Sequence, residues 1–309
     1  MTGDTQNSAI HDSTTQNTQR SVGPRWDPRI AVLSRPDGRL QLGWTPGRAV
    51  LLTLPVGVDA RAVKSILRTM DGSRSRATIL WEASKRGIST SVTEALLDQL
   101  ADSGFVHTSG TSAASVRIHG VGPLSDAVER ALVTGGITTR RSRGYRNTDV
   151  VRTWNEQLVV LADDVVTDPR LVSDLVRCGL PHLSVRIRDG NGVVGPLVLP
   201  GQSSCLRCAD IIRSELDPHW LHLSAQLLGS AGHAESAMIH ASVALALAEI
   251  DAALGVVDRH GATSAASLSS TLEIALRPYR ITTRRWPRQI SCSCQYLAPV
   301  SGKGRPSQT

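Results

Sequence analysis

Between residues 23 and 108, short apolar runs give way to apolar positions at helical spacing. Three runs come first, each bounded by Pro, Asp or Gly: RIAVLS, RLQLGW and RAVLLTL. Three segments with an apolar residue every three or four positions follow: VDARAVKSILRTM, SRATILWEASKRG and STSVTEALLDQLADSG. The run FVHT closes the region. Such runs and spacings indicate strands and amphipathic helices. The order of strands, three short helices and a last strand predicts a small winged-helix α+β domain at 23–108.

After a linker of small residues, SGTSAAS at 109–115, the pattern alternates between strand and helix. The apolar runs SVRIH, QLVVLAD, LPHLSVRI and GVVGPLVL indicate strands, and LSDAVERALVTGG and DPRLVSDLVRCG indicate helices. A long Ala-rich helix near 233–254 and the strands TLEIALR and RITTRRW complete the region. Alternation of this kind is typical of a doubly wound α/β sheet. It predicts such a domain over 116–296.

The two ends of the chain, 1–22 and 297–309, lack these patterns and are predicted to be disordered tails. The N-terminal residues also lack the apolar segment of a secretory signal. The most apolar long window, 236–257, carries His240, Glu249 and Asp251 and is rich in Ala. Charged residues and Ala favour a buried helix over a membrane span. We therefore expect a cytoplasmic protein without a membrane partner.

Composition limits the core and the partners. Aromatic residues make up only 3% of the 309 residues, so the core must be built from Leu, Val, Ile and Ala. The net charge of +7 permits acidic partners. The arginines are scattered, however, and no basic helix is interleaved with aromatic residues. This distribution argues against a nucleic-acid partner.

A glycine turn gives the first candidate site. Gly120 and Gly122 follow a strand and precede a helix, and Ser125 stands at the third small position of a nucleotide-binding turn. The acid that should bind a ribose about twenty residues later is missing, because that region reads ITTRRSRGYRNTD. Its arginines at 140, 141 and 143 are interpreted as a solvated basic loop, with phosphate binding as the alternative. The pattern favours the nucleotide-type fold more strongly than nucleotide binding.

Asp163 and Asp164 end a buried strand, where open α/β sheets present residues to ligands. The pair has two interpretations of equal weight. Carboxylates there would hold Mg²⁺ on a phosphate. Alternatively, they serve helix capping and solvation beside Asp168 and Pro169.

Four cysteines give the second candidate site. Cys205 and Cys208 form Cys-x-x-Cys after a Pro-Gly turn, and Cys292 and Cys294 form Cys-x-Cys near the C-terminus. Four thiolates complete a tetrahedral Zn²⁺ site and leave no position open for catalysis, so the predicted role is structural. A redox pair and unligated buried thiols are the alternatives. Cys178 is interpreted as an ordinary core residue.

The block GLPHLSVRIRDGNGVVGPLVLPGQSSCLRC resembles the ThiF/MoeB superfamily of ubiquitin-activating-type adenylyltransferases. More closely, the chain is similar to an actinobacterial branch named for bacteriocin cyclodehydratases, or leader-peptide-binding proteins for thiazole/oxazole-modified peptides. The motifs are TMDGSRSR, LLDQLADSGFV, VVGPLVLPG followed by CLRC, DPHW, AQL, and RRWP followed by Cys-x-Cys. The resemblance spans about 25–296.

This resemblance implies a ThiF-like, Rossmann-type body with a structural zinc site, preceded by a PqqD-like peptide-recognition domain. Active members bind ATP and Mg²⁺ and carry an acidic strand end followed by SNL-x-R-Q. Here the corresponding segment reads TTRRSRGYRNTDVVR, and no cysteine lies in the crossover segment. Homodimers are frequent in the superfamily, so a homodimer is a further expectation.

Two functions follow from the resemblance. In the first, the protein binds a ribosomal precursor (leader) peptide and presents it to a YcaO-like, ATP-dependent cyclodehydratase, its own adenylation site being degenerate. In the alternative, it is an active adenylyltransferase that activates the C-terminus of a ubiquitin-like or sulfur-carrier protein. The alternative would use the Gly120–Gly122 turn under the phosphates and Asp163 or Asp164 on Mg²⁺.

Overall fold

A computed structural model describes residues 23–47, 49–107, 114–258 and 265–296. The chain divides into two compact units, Met1–Ser112 and Ala113–Thr309. The predicted tails at 1–22 and 297–309 lie outside the described residues, as does most of the predicted linker.

The first unit is a small α+β structure. Its elements are β1 (Arg25–Trp26), β2 (Val32–Ser34), β3 (Leu40–Leu42), β4 (Val50–Leu52), α1 (Ala60–Thr69), α2 (Arg76–Ser84), α3 (Thr90–Asp102) and β5 (Val106–His107). Strands β2, β3 and β4 form an antiparallel sheet in that order, and β1 pairs with β5. The predicted three strands, three helices and returning strand are all present, and the structure adds one short strand, β1, before them. The winged-helix assignment itself stays a prediction.

Local sequence accounts for these helices. Asp59, Ser75 and Ser89 precede them, and each side chain accepts a hydrogen bond from a backbone amide in the first turn. Such capping satisfies amides that lack a partner within the helix. The apolar helix faces then bury against the three-stranded sheet in one cluster, which includes Leu40, Leu42, Leu52, Ile66, Ile79 and Leu97.

The second unit alternates strands and helices up to residue 188. Its elements are β6 (Ser115–His119), α4 (Pro123–Thr134), β7 (Thr138–Ser142), α5 (Thr148–Arg152), β8 (Leu158–Ala162), α6 (Pro169–Arg177), β9 (His182–Arg188), β10 (Asn191–Val198), α7 (Leu206–Leu216), α8 (Trp220–Ala225), α9 (Ser236–Asp258), β11 (Ser270–Leu276) and β12 (Tyr279–Arg285). A short 3₁₀ helix covers Ser293–Tyr296.

These strands form one seven-stranded mixed sheet in the order β12-β11-β10-β9-β8-β6-β7. Strands β7, β6, β8 and β9 are parallel, and β10, β11 and β12 continue the sheet as antiparallel strands. The carboxyl ends of the parallel strands therefore meet at one edge of the sheet. Both candidate sites start from loops that follow strands of this sheet.

Helices cover both faces of the parallel part. Leu158 and Val160 of β8 pack in a cluster with α4 and α9, whereas Val159 and Leu161 pack in a second cluster with α5 and α6. Successive residues of a strand point to opposite faces, so the two clusters lie on opposite sides of the sheet. The doubly wound prediction is confirmed for this unit.

Helix α9 is long and apolar enough, by length and composition alone, to cross a membrane. In this structure its residues Val243, Ala246 and Ile250 belong to the core cluster of the sheet. Half of its most apolar window is buried within the protein. This packing agrees with the predicted buried helix.

Candidate functional site

The glycine turn lies between β6 and α4 and meets an acidic side chain from β8. Pro123 opens α4 and has no amide hydrogen, so Leu124 and Ser125 supply the first free amides of the helix. Their nitrogens donate to Asp163, at 3.0 Å to Oδ1 and 3.2 Å to Oδ2 respectively. Asp163 follows directly after β8 and is only 2% exposed. A carboxylate of this chain therefore occupies the anion-binding end of α4.

Close packing at the same place explains both glycines. A Cβ on Gly122 would lie 2.6 Å from Oδ1 of Asp163, and one on Gly120 would lie 2.2 Å from the carbonyl oxygen of Ala162. Contacts this short exclude a side chain. The backbone of Asp163 is held in turn by hydrogen bonds to Val185 and Gly232. The turn therefore requires glycine at these positions because it packs directly against residues 162 and 163, whether or not a nucleotide is bound.

Arg141 completes this network, and the expected solvated basic loop is wrong for this residue. Arg141 lies in β7, and its Nη2 donates to the carbonyl of Gly120 at 3.2 Å and to Oγ of Ser125 at 3.0 Å. Its guanidinium pairs with Asp126 at 3.0 Å and Glu129 at 3.1 Å, and its side chain is 17% exposed. An arginine neutralised by two carboxylates of α4 therefore lies near the strand end where a nucleotide-binding fold usually carries a ribose-binding acid.

Asp164 lies next to Asp163 but outside its hydrogen bonds to α4. Burial, followed by the charges of Asp163 and Asp168, raises the pKa of Asp164 and so disfavours its charged form. Asp168 caps α6 by accepting from the amide of Arg170 at 2.8 Å. Helix capping is one of the two predicted roles for the acids in this segment. Asp168 caps α6, the helix that follows it, and Asp163 caps α4.

The structure brings Gly120, Gly122, Ser125 and Asp163 into one contact network. A phosphate at the N-terminus of α4 would meet the Asp163 carboxylate at the same amides. In this structure the amides that would hold an ATP phosphate at this turn are already paired with Asp163. Sequence reasoning missed the role of Arg141, for which Asp126 and Glu129, three residues apart on α4, were the available signal.

The four predicted cysteine ligands come together at the start of α7. The Sγ–Sγ distances are 3.9 Å for Cys205–Cys208, 3.6 Å for Cys205–Cys292 and 3.5 Å for Cys208–Cys294. All four sulfur atoms lie within 4.8 Å of one another, and all four residues are buried. Each is a free cysteine, with none joined in a disulfide.

These distances suit a tetrahedral metal site. Four sulfur atoms placed about 2.3 Å from a central ion lie about 3.8 Å apart. Cys178, at the end of α6, is half-buried and is not part of the cluster. The site joins the loop before α7 to the segment after β12, which are distant in sequence. A metal ion there would therefore cross-link the C-terminal segment to the sheet.

No family model and no curated protein matches this sequence. Solved structures do match. A heterocyclase in complex with substrate and cofactor gives a TM-score of 0.61 at 13% identity, over 88% of this chain and 39% of that chain. The heterocyclase TruD gives 0.57 at 15% identity, over 88% and 42%. Escherichia coli MccB with AMPCPP and MccA gives 0.51 at 14% identity, over 88% and 99%.

The chain has the fold of TruD and MccB. The predicted resemblance to ThiF-like proteins of bacteriocin biosynthesis is confirmed at the level of this fold. The chain spans about two fifths of the length of the two heterocyclases. By contrast, it spans nearly all of MccB, the microcin C7 biosynthetic enzyme.

Proposed function

We propose that this protein binds a ribosomal precursor peptide through its first unit and presents it to a separate ATP-dependent cyclodehydratase of the YcaO kind. Its own adenylation site is degenerate. The fold shared with a substrate-bound heterocyclase and with MccB bound to MccA supports a precursor-peptide partner.

The contact between Asp163 and the amides of Leu124 and Ser125 carries the proposal of a degenerate site. Adenylyl transfer depends on groups that hold the phosphates and stabilise the charge developing on them. At this turn a carboxylate occupies the amides that would hold a phosphate. Arg141, the cation next to the turn, is already paired with two carboxylates. Loss of one charge-stabilising donor commonly costs about a hundredfold in rate, so loss of several leaves little activity.

The first unit has the edges that an added peptide strand needs. In the described residues, β2 and β4 each pair with β3 alone, which leaves one edge of each strand without a strand partner. A groove of about 460 Å³ beside β2 is lined by apolar and basic side chains, among them Trp26, Ile30, Lys64 and Arg68. Main-chain hydrogen bonds to an edge and side-chain pockets beside it are the means by which an extended peptide is bound.

The metal of the cysteine cluster is proposed to be Zn²⁺ with a structural role. Four thiolate ligands at these separations suit zinc and leave no open coordination position. A homodimer is proposed as well, since the outer strand β12 is exposed along its whole length and includes Tyr279 and Ile281.

The full-length protein tests the function in two measurements. Hydrogen exchange with candidate leader peptides should slow amides of one sheet edge, 31–35 or 49–54, while a scrambled peptide leaves them unchanged. Calorimetry with ATP–Mg²⁺ and ATP–pyrophosphate exchange should both give background signals. Exchange that depends on a carrier protein with C-terminal glycines, and that Arg141→Met abolishes, would instead establish the adenylyltransferase alternative. Peptide protection at neither edge would remove the role of the first unit.

A further inference from the structure

A large cavity opens in the second unit, apart from the glycine turn. It has a volume of about 1110 Å³ and lies among the segment after β8, the end of β9 and helices α6, α7 and α8. None of residues 119–125 and neither Asp163 nor Asp164 lines it. A cavity of this size is at the upper end of pockets that hold small molecules or short peptide segments.

The cavity wall is largely apolar and includes Val166, Val172, Ile187, Ile211, Trp220 and Leu227. Apolar side chains also extend to its rim, where Leu221 is 63% exposed and Leu227 is 42% exposed. Exposed apolar side chains that continue into a cavity mark a surface for the apolar body of a ligand.

One buried cation in this wall lacks an ion-pair partner among the described residues. Arg186 of β9 is 7% exposed, and its Nη1 donates to Oγ of Ser184 at 2.8 Å. Among the described residues no carboxylate oxygen lies within 4.0 Å of its guanidinium, in contrast to Arg188, which pairs with Glu273 at 2.8 Å, and Arg213, which pairs with Asp210 at 2.9 Å. Burial, with the nearby charges of Arg213 and Arg188, lowers the pKa of Arg186 to about 10. At neutral pH the residue is therefore still a cation.

A buried cation is costly unless an anion compensates it. The cavity wall holds five arginines and three carboxylates, and Cys205, Cys292 and Cys294 of the metal cluster also border it. A guanidinium presents a planar pair of N–H donors that matches a carboxylate. We propose that the cavity binds a ligand in which a carboxylate is attached to an apolar body, with Arg186 binding the carboxylate. This site is independent of the peptide site proposed for the first unit.

The test uses the full-length protein and three probes: N-acetyl-leucyl-leucine, the same dipeptide with a C-terminal amide, and octanoate. Calorimetry should show that the free-acid dipeptide binds and that the amide binds at least about tenfold more weakly, as expected for the loss of a charge-assisted pair. Tighter binding of the dipeptide than of octanoate would indicate a peptide C-terminus as the natural source, and the reverse order a fatty acid.

Arg186→Met should lower the affinity for the free acids about tenfold or more and leave the amide unaffected. Arg207→Met is the matched control, because Arg207 is an exposed arginine of the same cavity and the variant loses the same charge. It should change each affinity by less than about threefold. Arg186→Lys keeps the charge but loses the paired donors, so its affinity for the free acids should be intermediate. It serves as the second variant if Arg186→Met does not fold.

Several results would overturn the proposal: no binding of either free acid at millimolar concentration, equal binding of acid and amide, or equal losses in Arg186→Met and Arg207→Met. Loss of metal from Arg186→Met with unchanged carboxylate affinity would also overturn it, because Arg186 would then balance the charge of the cysteine cluster.

Discussion

The carboxylate of Asp163 lies in the space that a side chain at residue 122 would occupy, 2.6 Å from the Cβ position of Gly122. The same carboxylate caps α4 through the amides of Leu124 and Ser125. One short contact thus accounts both for a glycine of the nucleotide-type turn and for the charge at the end of its helix. Packing against Asp163 is thus by itself enough to account for glycine at residue 122.

This relationship predicts coupling between residues 122 and 163. Gly122→Ala should destabilise the protein by about 1–3 kcal/mol, the usual cost of overpacking a filled site. In an Asp163→Gly background the same substitution should cost clearly less, because the atoms it meets are gone. Glycine is the suitable background since Asp163 has a φ of 72°, which glycine adopts without strain. Chemical denaturation of the four proteins gives the coupling energy.

Gly144→Ala is the control for this cycle. A Cβ on Gly144 meets no atom within 4 Å. Its effect should stay within about 0.5 kcal/mol and be the same with either residue at 163. Additive effects of Gly122→Ala and Asp163→Gly would contradict the short contact.

A second prediction concerns the cysteine cluster. Purified protein should contain about one zinc per chain, measured by mass spectrometry of the metal. Cys205→Ser should lose most of that zinc and unfold at a markedly lower temperature, because binding of a structural metal contributes directly to folding. Cys178→Ser removes a thiol outside the cluster and should retain both the zinc and the stability. Equal metal content in the two variants would refute the assignment.

The parts of this structure that sequence reasoning predicted are those with a local signature. Strand and helix periodicity predicted the sheet, and the Cys-x-x-Cys and Cys-x-Cys spacings predicted the cluster of four cysteines. The contact between Gly122 and Asp163 joins residues that are 41 positions apart, and no local sequence pattern predicts that they meet. Asp163 was predicted to be a metal ligand or a helix cap. The helix that it caps is α4, and not the helix that follows it in the chain.

Arg141 and Arg186 show the same limit for charged residues. Arg141 stands in a basic segment that reads as a loop, yet β7 pairs with β6 and so brings it beside the glycine turn. Arg186 stands in an alternating strand, on the same face as Ser184 and Arg188, and only the surrounding helices decide that it is buried. Whether an arginine is solvated or buried depends on packing between distant segments, and the sequence pattern does not contain that information.

A third prediction concerns a buried ion pair. Glu156 accepts from Nη2 of Arg117 at 2.8 Å and from Nε at 2.9 Å, and both side chains are nearly inaccessible. Removing one partner of such a pair leaves a buried charge uncompensated and costs about 3–5 kcal/mol. Glu156→Gln should therefore lower the free energy of unfolding strongly. Asp149→Asn is the control, since Asp149 and Arg152 form an exposed pair and should contribute less than about 1 kcal/mol.

The last prediction is an acid-dependent loss of stability through His182. Burial lowers the pKa of His182 from its ordinary 6.5 to about 4, although its hydrogen bond to the carbonyl of Leu180 acts in the opposite direction. Its other ring nitrogen, Nε2, is buried without a hydrogen-bond partner among the described residues. In the folded protein the neutral ring is therefore favoured.

Between pH 6.5 and about 4 the unfolded chain binds a proton at this histidine that the folded protein does not. The contribution of the neutral ring to stability is thus complete above about pH 6.5 and is lost as the pH falls toward 4, by about 3 kcal/mol for a shift of this size. His182→Gln keeps a donor for Leu180 but does not titrate, so it should flatten the pH dependence of the free energy of unfolding in this window.

A second histidine should account for a remaining slope, because burial and the charge of Arg117 also lower the pKa of His119 to about 4. Urea titrations at pH 4.5, 5.5, 6.5 and 7.5 measure the effect, with His222→Gln as an exposed control, and an unchanged slope in His182→Gln would show that this ring is not the titrating group.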